Sequence, residues 1–415
     1  MSLLRRTALR RAVTIKLQCH QRRSITDSRP FGPTDLVLLR LKDDRTAQPI
    51  LRTLSPGKRI ETHKGIIRHD DIIGKSVRDV VKTAPLRSGK EGAAEYRLHE
   101  VKLAEYVSLS RRLVTPIYPA DANLIVNLLD LHPEPPRFGE DKAAPKLEIL
   151  EAGTGHGALT LYLSRAIHAA NRLLPLPDNV VSEEDPEDAH FDMEGWKASR
   201  RAIIHTIDVS EKYSTHARKI VNGFKHGLYT HNIDFHVGDV SEWVRSTLPE
   251  RNNKPFLSHA FLDLPGADTH LSTVAQALRV DGTLIVFNPS ITQISDCALK
   301  IGNEKFPLEL ERVIELGVNG GSGGRDWDVR AVRPRVKQKP RPAQDENAEG
   351  LAGEDSGIDM SCDDEQAEAN SVGPTEQSQW KMICRPKVGE RVVGGGFLGI
   401  WKKQRDTRSN GTSAY

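Results

Sequence analysis

Between residues 151 and 157 the chain reads EAGTGHG, with glycines at 153, 155 and 157. Glycines at alternate positions let a backbone turn tightly and approach a ligand with no Cβ in the way. Downstream, three carboxylates end apolar runs: Asp208 after Ala202–Ile207, Asp239 after Ile233–Val237 and Asp263 after His259–Leu262. Asn288-Pro289 ends a fourth run, Thr283–Phe287. The loop by itself leaves its ligand open, since Gly153, Gly155 and Ala158 also satisfy the dinucleotide pattern G-x-G-x-x-G/A. The three acids favour a nucleoside methyl donor. One sits where the ribose would lie, one beside the adenine amine, and Asp263-Leu264-Pro265 beside the methyl. A dinucleotide site wants its acid ~20 residues past the loop, whereas Asp208 comes about 50 residues on, the acidic stretch 172–200 accounting for most of the excess. Each acid taken singly is also a common helix N-cap.

These groups need a sheet to hold them. Leu147–Leu150 is expected as a short strand, and Ala158–Ala170 as a helix with Leu159, Leu163, Ala166, Ile167 and Ala170 on one face. Strand, glycine loop and helix open a doubly wound fold, and the later runs alternate with helical material. The expected fold class is α/β: a mostly parallel, Rossmann-like sheet of about seven strands with helices on both faces. Polar groups at the carboxyl ends of such strands line the ligand crevice. Residues 34–105 read as a small β-domain of short strands and turns, and 106–336 as the catalytic domain, carrying an acidic surface loop at 172–200. Residues 338–379 are polar and acidic, which predicts disorder. Residues 380–403 are expected to supply the last strands, and 404–415 a disordered tail.

Composition narrows the function classes. The chain has 415 residues, 38% apolar and 28% charged, with a net charge of +3. No run approaches the ~18 apolar residues of a membrane helix, so no membrane association is expected. The four cysteines form no Cys-x-x-Cys pair and the 15 histidines no H-x-x-x-H, so neither a disulfide framework nor a metal is expected. Residues 1–26 hold seven basic side chains and no acid, alternating with Leu, Ala, Val and Ile. That is the pattern of a mitochondrial transit segment, assigned to residues 1–30, with a nuclear signal as the alternative. Arg341–Thr375 holds ten acids against one Arg, so any RNA binding must use a local patch.

Several separated blocks resemble one family, the tRNA (adenine-58-N1)-methyltransferases of the catalytic-subunit type. They are residues 62–69 (THKGIIRH), 111–121 (RRLVTPIYPAD), 151–160 (EAGTGHGALT), 263–265 (DLP), 288–293 (NPSITQ) and 325–330 (RDWDVR). The resemblance extends over Pro56–Ala170, Arg201–Arg335 and the final strand, and the basic N-terminus is similar to a mitochondrial member. It implies the class I S-adenosylmethionine-dependent fold behind a small N-terminal β-domain, and methyl transfer to N1 of the T-loop adenine of tRNA. It further implies Asp263 and Tyr118 as catalytic, with Ile117, Glu151, Gly153, Thr154, Gly155, His156, Gly157, Ala158, Asp208, Tyr213, Asp239, Val240 and Asp263 holding S-adenosyl-L-methionine. RNA contacts are expected at Lys58, Arg59, Lys64, Arg68, His69, Arg111 and Arg112. His156 departs from the family, which more usually has a small hydroxyl residue there. Implied partners are tRNA and either three further copies in a homotetramer or a non-catalytic paralogous subunit in a heterotetramer. Two alternatives stand beside this reading: the non-catalytic subunit itself, and a methyltransferase with another RNA or protein acceptor.

Overall fold

The computed structural model describes residues 29–44, 46–84, 94–135, 145–171, 193–317, 327–332, 381–386 and 395–405. The transit-like segment up to residue 28, and residues 338–379, lie outside them.

The N-terminal region is built from β1 (Leu36–Leu41), β2 (Ile50–Thr53), β3 (Arg59–Thr62), β4 (Gly65–Arg68), β5 (Val80–Lys82) and β6 (Glu95–Glu100). Strands β2-β1-β6-β5 form an antiparallel sheet, and β3 and β4 a separate hairpin. The β1 sequence LVLLRL lacks a clean polar alternation because the strand is covered on both faces. Val37 and Leu39 join the local core with Ile60, Ile67 and Leu98, while Leu38 points into the catalytic core beside Tyr106 and Val107.

Two helices follow, α1 (Leu103–Leu109) and α2 (Pro119–Leu128). The catalytic region then runs β7 (Leu147–Ala152), α3 (Ala158–Ile167), α4 (Met193–Ala198), β8 (Ala202–Asp208), α5 (Glu211–Gly223), β9 (Ile233–Val237) and α6 (Val240–Glu250). It continues with β10 (Leu257–Leu262), α7 (Ala267–Ala277), β11 (Leu278–Asn288), α8 (Ile291–Glu304) and β12 (Leu308–Leu316). After β13 (Trp327–Val332) and β14 (Lys381–Pro386), β15 (Gly396–Lys403) returns to the sheet.

The sheet order is β12-β15-β11-β10-β7-β8-β9, and only β15 runs antiparallel to its neighbours. All seven residues of β8 are buried, as a parallel strand covered by helices on both faces requires. One core gathers α2, α3 and α5 against the sheet and a second gathers α6, α7 and α8. Strand order reverses between β7 and β10, so the crevice beyond their carboxyl ends is where a ligand belongs.

Two expectations are corrected. Lys381–Pro386 does not join the catalytic sheet. It pairs with Trp327–Val332 in a second compact unit, Gly323–Val392, because β15 already has β11 and β12 on its two edges. The expected surface loop 172–200 contains a helix at its end, α4, where no Pro interrupts the chain. There Lys197 pairs with Glu194, and the Trp196 ring meets His231 edge-on at 5.8 Å.

Asp35, at the entry to β1, ties the N-terminal region to the loop after α5. It accepts hydrogen bonds from the Arg29 guanidinium, from the Gly32 N–H at 2.7 Å and from His226 Nε2 at 2.8 Å. Burial opposes its charge, but these donors outweigh it and hold the carboxyl below its usual range. A depressed carboxyl contributes stability above its unfolded pKa and loses it as pH falls through the folded value. Asp35→Asn is therefore expected to cost roughly 1–2 kcal/mol at pH 7. Thermal melts check this: the gap to wild type should narrow once pH falls below about 4.

Candidate active site

The site is organised by the loop between β7 and α3. Gly153, Gly155 and Gly157 have φ values of +94°, +50° and +80°, in the left-handed region that L side chains avoid. At Gly153 the demand is also spatial, since a Cβ there would stand 1.9 Å from the carbonyl oxygen of Asp263. The ends of β7 and β10 are drawn together at this point by the Asp263 N–H, which donates to the Ala152 carbonyl at 2.8 Å.

Asp208, at the end of β8, spends both carboxylate oxygens on backbone. Oδ2 accepts from the Gly155 N–H at 2.9 Å and Oδ1 from the Ser210 N–H at 2.8 Å. It thus holds the glycine loop and the start of α5 in one register. Glu151 lies beneath the loop, fully buried, accepting from the hydroxyls of Thr160 at 2.6 Å and Thr206 at 2.8 Å. Burial pushes this carboxyl up to about 7, with the two hydroxyls pulling the other way and Asp263 and Asp208 adding to the rise.

Asp263 differs from both. Burial alone pushes its carboxyl up to about 6, and among the described residues no side chain or N–H bonds to it. His156 is likewise unmatched: its ring is 2% exposed and neither nitrogen has a hydrogen-bond partner among the described residues. Burial lowers its pKa to about 4, so the ring is neutral, and it meets the His216 ring edge-on at 5.7 Å.

The residues expected at the cofactor divide into two groups. Ile117, Glu151, Gly153, Thr154, Gly155, His156, Ala158 and Asp263 line one small pocket, with Gly157 closing the loop behind them. Asp208, Tyr213, Asp239 and Val240 do not line it, and Asp208 acts only by holding the loop. Asp239 Oδ1 instead accepts from the Ser241 and Glu242 N–H groups at 2.8 and 3.0 Å, capping α6. Val240 is buried in the second core, and Tyr213 sits in the first turn of α5 with its N–H on Ser210. Tyr118 is also outside the lining. It precedes α2, with its ring under the Arg112 guanidinium at 5.6 Å.

Thr115 and Phe261 line the pocket although the sequence did not single them out, and so does Leu159, expected only on the apolar face of its helix. Thr160 and Thr206 were missed because they act through Glu151.

Of the expected RNA contacts, Lys58, Lys64, Arg68, Arg111 and Arg112 are exposed, and Arg59 pairs with Glu61 at 2.8 Å. His69 is a correction. It is buried, its Nδ1 accepts the Ser55 N–H at 2.9 Å, and burial lowers its pKa, so it fixes the turn before β3 and cannot reach RNA. Among the described residues no group of three His, Cys, Asp or Glu side chains could hold a metal ion.

A methyl donor that is cationic at sulfur and carries an amino acid end fits this arrangement. Asp263 offers a partly buried carboxylate without a counter-charge, His156 offers unsatisfied ring nitrogens, and the glycine loop supplies a wall free of side chains.

Comparison with known proteins agrees with the geometry. Residues 37–79 match the family model described as TrmI-like N-terminal. The tRNA (adenine(58)-N(1))-methyltransferase TrmI of Thermus thermophilus is 28% identical over 300 residues, covering 72% of this chain and 91% of that protein. The tRNA (adenine(57)-N(1)/adenine(58)-N(1))-methyltransferase TrmI of Methanocaldococcus jannaschii is 24% identical over 280 residues, covering 64% and 85%. A solved S-adenosylmethionine-dependent O-methyltransferase from Thermotoga maritima superposes with a TM-score of 0.52 at 14% identity, covering 91% of this chain and 96% of that one. That likeness speaks for the fold alone, a class I methyltransferase sheet.

Proposed function

We infer, from the chain's place in the tRNA (adenine-58-N1)-methyltransferase family, that it transfers a methyl group from S-adenosylmethionine to N1 of adenine 58 of tRNA. The observation that carries this reading is Asp263: a partly buried, unpartnered carboxyl against the glycine loop, at the point where the strand order reverses.

S-adenosylmethionine, when bound, supplies an electrophilic methyl on a sulfonium. Adenine N1 carries its own lone pair, so the chain needs no strong base at the attack step. It must align the acceptor and place negative potential where adenine becomes cationic. Asp263 is assigned the second: with no protein cation paired to it among the described residues, its carboxylate answers the positive charge that passes from the sulfonium to the base. The glycine loop and Ile117 fix the donor's position, and Asp208 acts by keeping that loop in place. Tyr118, next to Ile117, is assigned to stack on the acceptor base at the mouth. Extracting the base from the folded tRNA costs a few kcal/mol, and exposed Lys58, Lys64 and Arg68 supply phosphate affinity toward that cost.

The same reading places the enzyme in the mitochondrial matrix, supported by the basic, acid-free residues 1–26, with the nucleus as the alternative. It assembles as a homotetramer, with a heterotetramer containing a non-catalytic paralogous subunit as the alternative.

The test uses the chain lacking residues 1–30, labelled S-adenosylmethionine and unmodified tRNA transcripts, with Asp263→Ala beside wild type. Methyl at adenine N1, lost in the variant and on replacing the target adenine, is the expected result. Donor binding by calorimetry with no transfer would point to a missing partner subunit or another acceptor. A chain that binds no donor would sink the enzyme reading and leave a tRNA-binding scaffold. Light scattering reads the assembly state, and import into isolated mitochondria reads the address.

A further inference from the structure

Beside the donor pocket lies an open groove that the site described above does not use. Lys212, Thr215, His216 and Lys219 come round to one face of α5 at helical spacing, and with Arg111 and Glu211 they line it. Arg111, Lys212 and Lys219 have no carboxylate within 4 Å among the described residues, and Glu211 is the groove's one acid. Three cations left unneutralised along one groove repel each other, and a polyanion laid across them relieves that repulsion.

The groove is registered to the chemistry. His216 on its wall meets the His156 ring of the glycine loop and bonds through Nε2 to the Arg111 carbonyl at 2.9 Å. One wall therefore serves both the groove and the donor pocket. At the start of α5, Asp208 holds Ser210 with one oxygen and Gly155 with the other. The lysines thus sit on the helix whose first turn Asp208 ties to the donor loop.

We propose that this groove is the track for the phosphodiester backbone flanking the target nucleotide, with Arg111, Lys212 and Lys219 as its phosphate contacts. The proposal rests on the tRNA reading and adds to it where the RNA lies. Contacts of this kind position the substrate and carry no sequence information.

The test measures tRNA binding by the full chain across a salt series, with Lys212→Gln/Lys219→Gln and Glu211→Gln as variants. The double variant should bind tRNA roughly tenfold more weakly near 0.1 M salt, with a salt slope lower by about 1 for each lysine. The loss should be the same for a tRNA whose target adenine is replaced. Donor affinity and kcat at saturating tRNA should not change. Glu211→Gln should tighten tRNA binding, a gain that a misfolded protein could not produce. Unchanged affinity and slope in the double variant, with no gain in Glu211→Gln, would overturn the groove and leave methyl transfer standing. A wild-type chain that methylates no tRNA overturns the activity itself.

Discussion

Asp263→Asn is expected to slow methyl transfer about 10²–10³-fold while making the donor-free chain more stable. In wild type the carboxyl is pushed from 3.8 to about 6 by burial, with no partner to offset the cost. Each unit of such a shift is worth about 1.4 kcal/mol, which sets a ceiling near 3 kcal/mol. The Asn amide also loses water, so a gain of about 1–2 kcal/mol, or a few degrees in Tm, is expected at pH 8. The sign follows from linkage: a raised folded pKa means that stability is full below the unfolded value and is lost as pH rises through the folded one. The advantage of the variant should therefore be absent near pH 4, grow to about pH 6 and stay level above it. Transfer should move the opposite way. Removing a preorganised group aimed at developing charge costs about 10²–10³ in rate, and wild-type kcat/KM should fall as pH drops below about 6. Melts of both proteins at pH 5 and 8, with single-turnover transfer, settle it. A variant that melts lower at pH 8, or that keeps its rate, would contradict the role given to this carboxyl.

Gly153→Ala should remove donor binding and destabilise the fold together. Its φ of +94° already disfavours a side chain, and the added Cβ would stand 1.9 Å from the Asp263 carbonyl oxygen. Backbone cannot swing aside as a flexible side chain would, so relief means parting the ends of β7 and β10. We expect a loss of about 3–5 kcal/mol, roughly 10 °C in Tm. Gly57→Ala is the control, because its φ of +75° carries the same conformational penalty with nothing within 4 Å. That variant should lose about 1–2 kcal/mol and bind donor normally. Equal losses in the two would show that the crowding at Gly153 is relieved at little cost.

The parts of the fold visible in the sequence were those written in local pattern. The run from Leu147 through Gly157 to Ala170 combines a strand, a loop that only glycine can make and an amphipathic helix, so one stretch specified one unit. The later strands that lead into Asp208, Asp239, Asp263 and Asn288 were legible in the same way, whereas Leu308–Leu316, exposed along most of its length at the sheet edge, was not. What stayed hidden depends on contacts between distant residues. Asp208 and Asp239 look alike in sequence, yet one holds the glycine loop and the other caps α6, according to which N–H groups the fold brings near. His69 sits in a basic stretch that suggests an RNA contact, but its ring turns inward to Ser55. Lys381–Pro386 had no local mark to show that its partner is Trp327–Val332 and not the main sheet. The His156–His216 contact joins two elements far apart in sequence and carries no pattern at all.

The place of β15 bears on the order in which the molecule is completed. It lies between β11 and β12 and brings in Trp401, among the largest fully buried side chains. Residues 317–395 separate it from β12. Closing a loop of roughly 80 residues instead of 10 adds only about 2 kcal/mol of chain entropy, so the detour is cheap at equilibrium. In time it is not. A chain emerging from the ribosome would expose the edges of β11 and β12 until this segment arrived, and non-local pairings of this kind form slowly. For that interval the unfinished sheet would offer two open edges to any passing strand, and the period of greatest exposure to aggregation falls just before the last strand is in place.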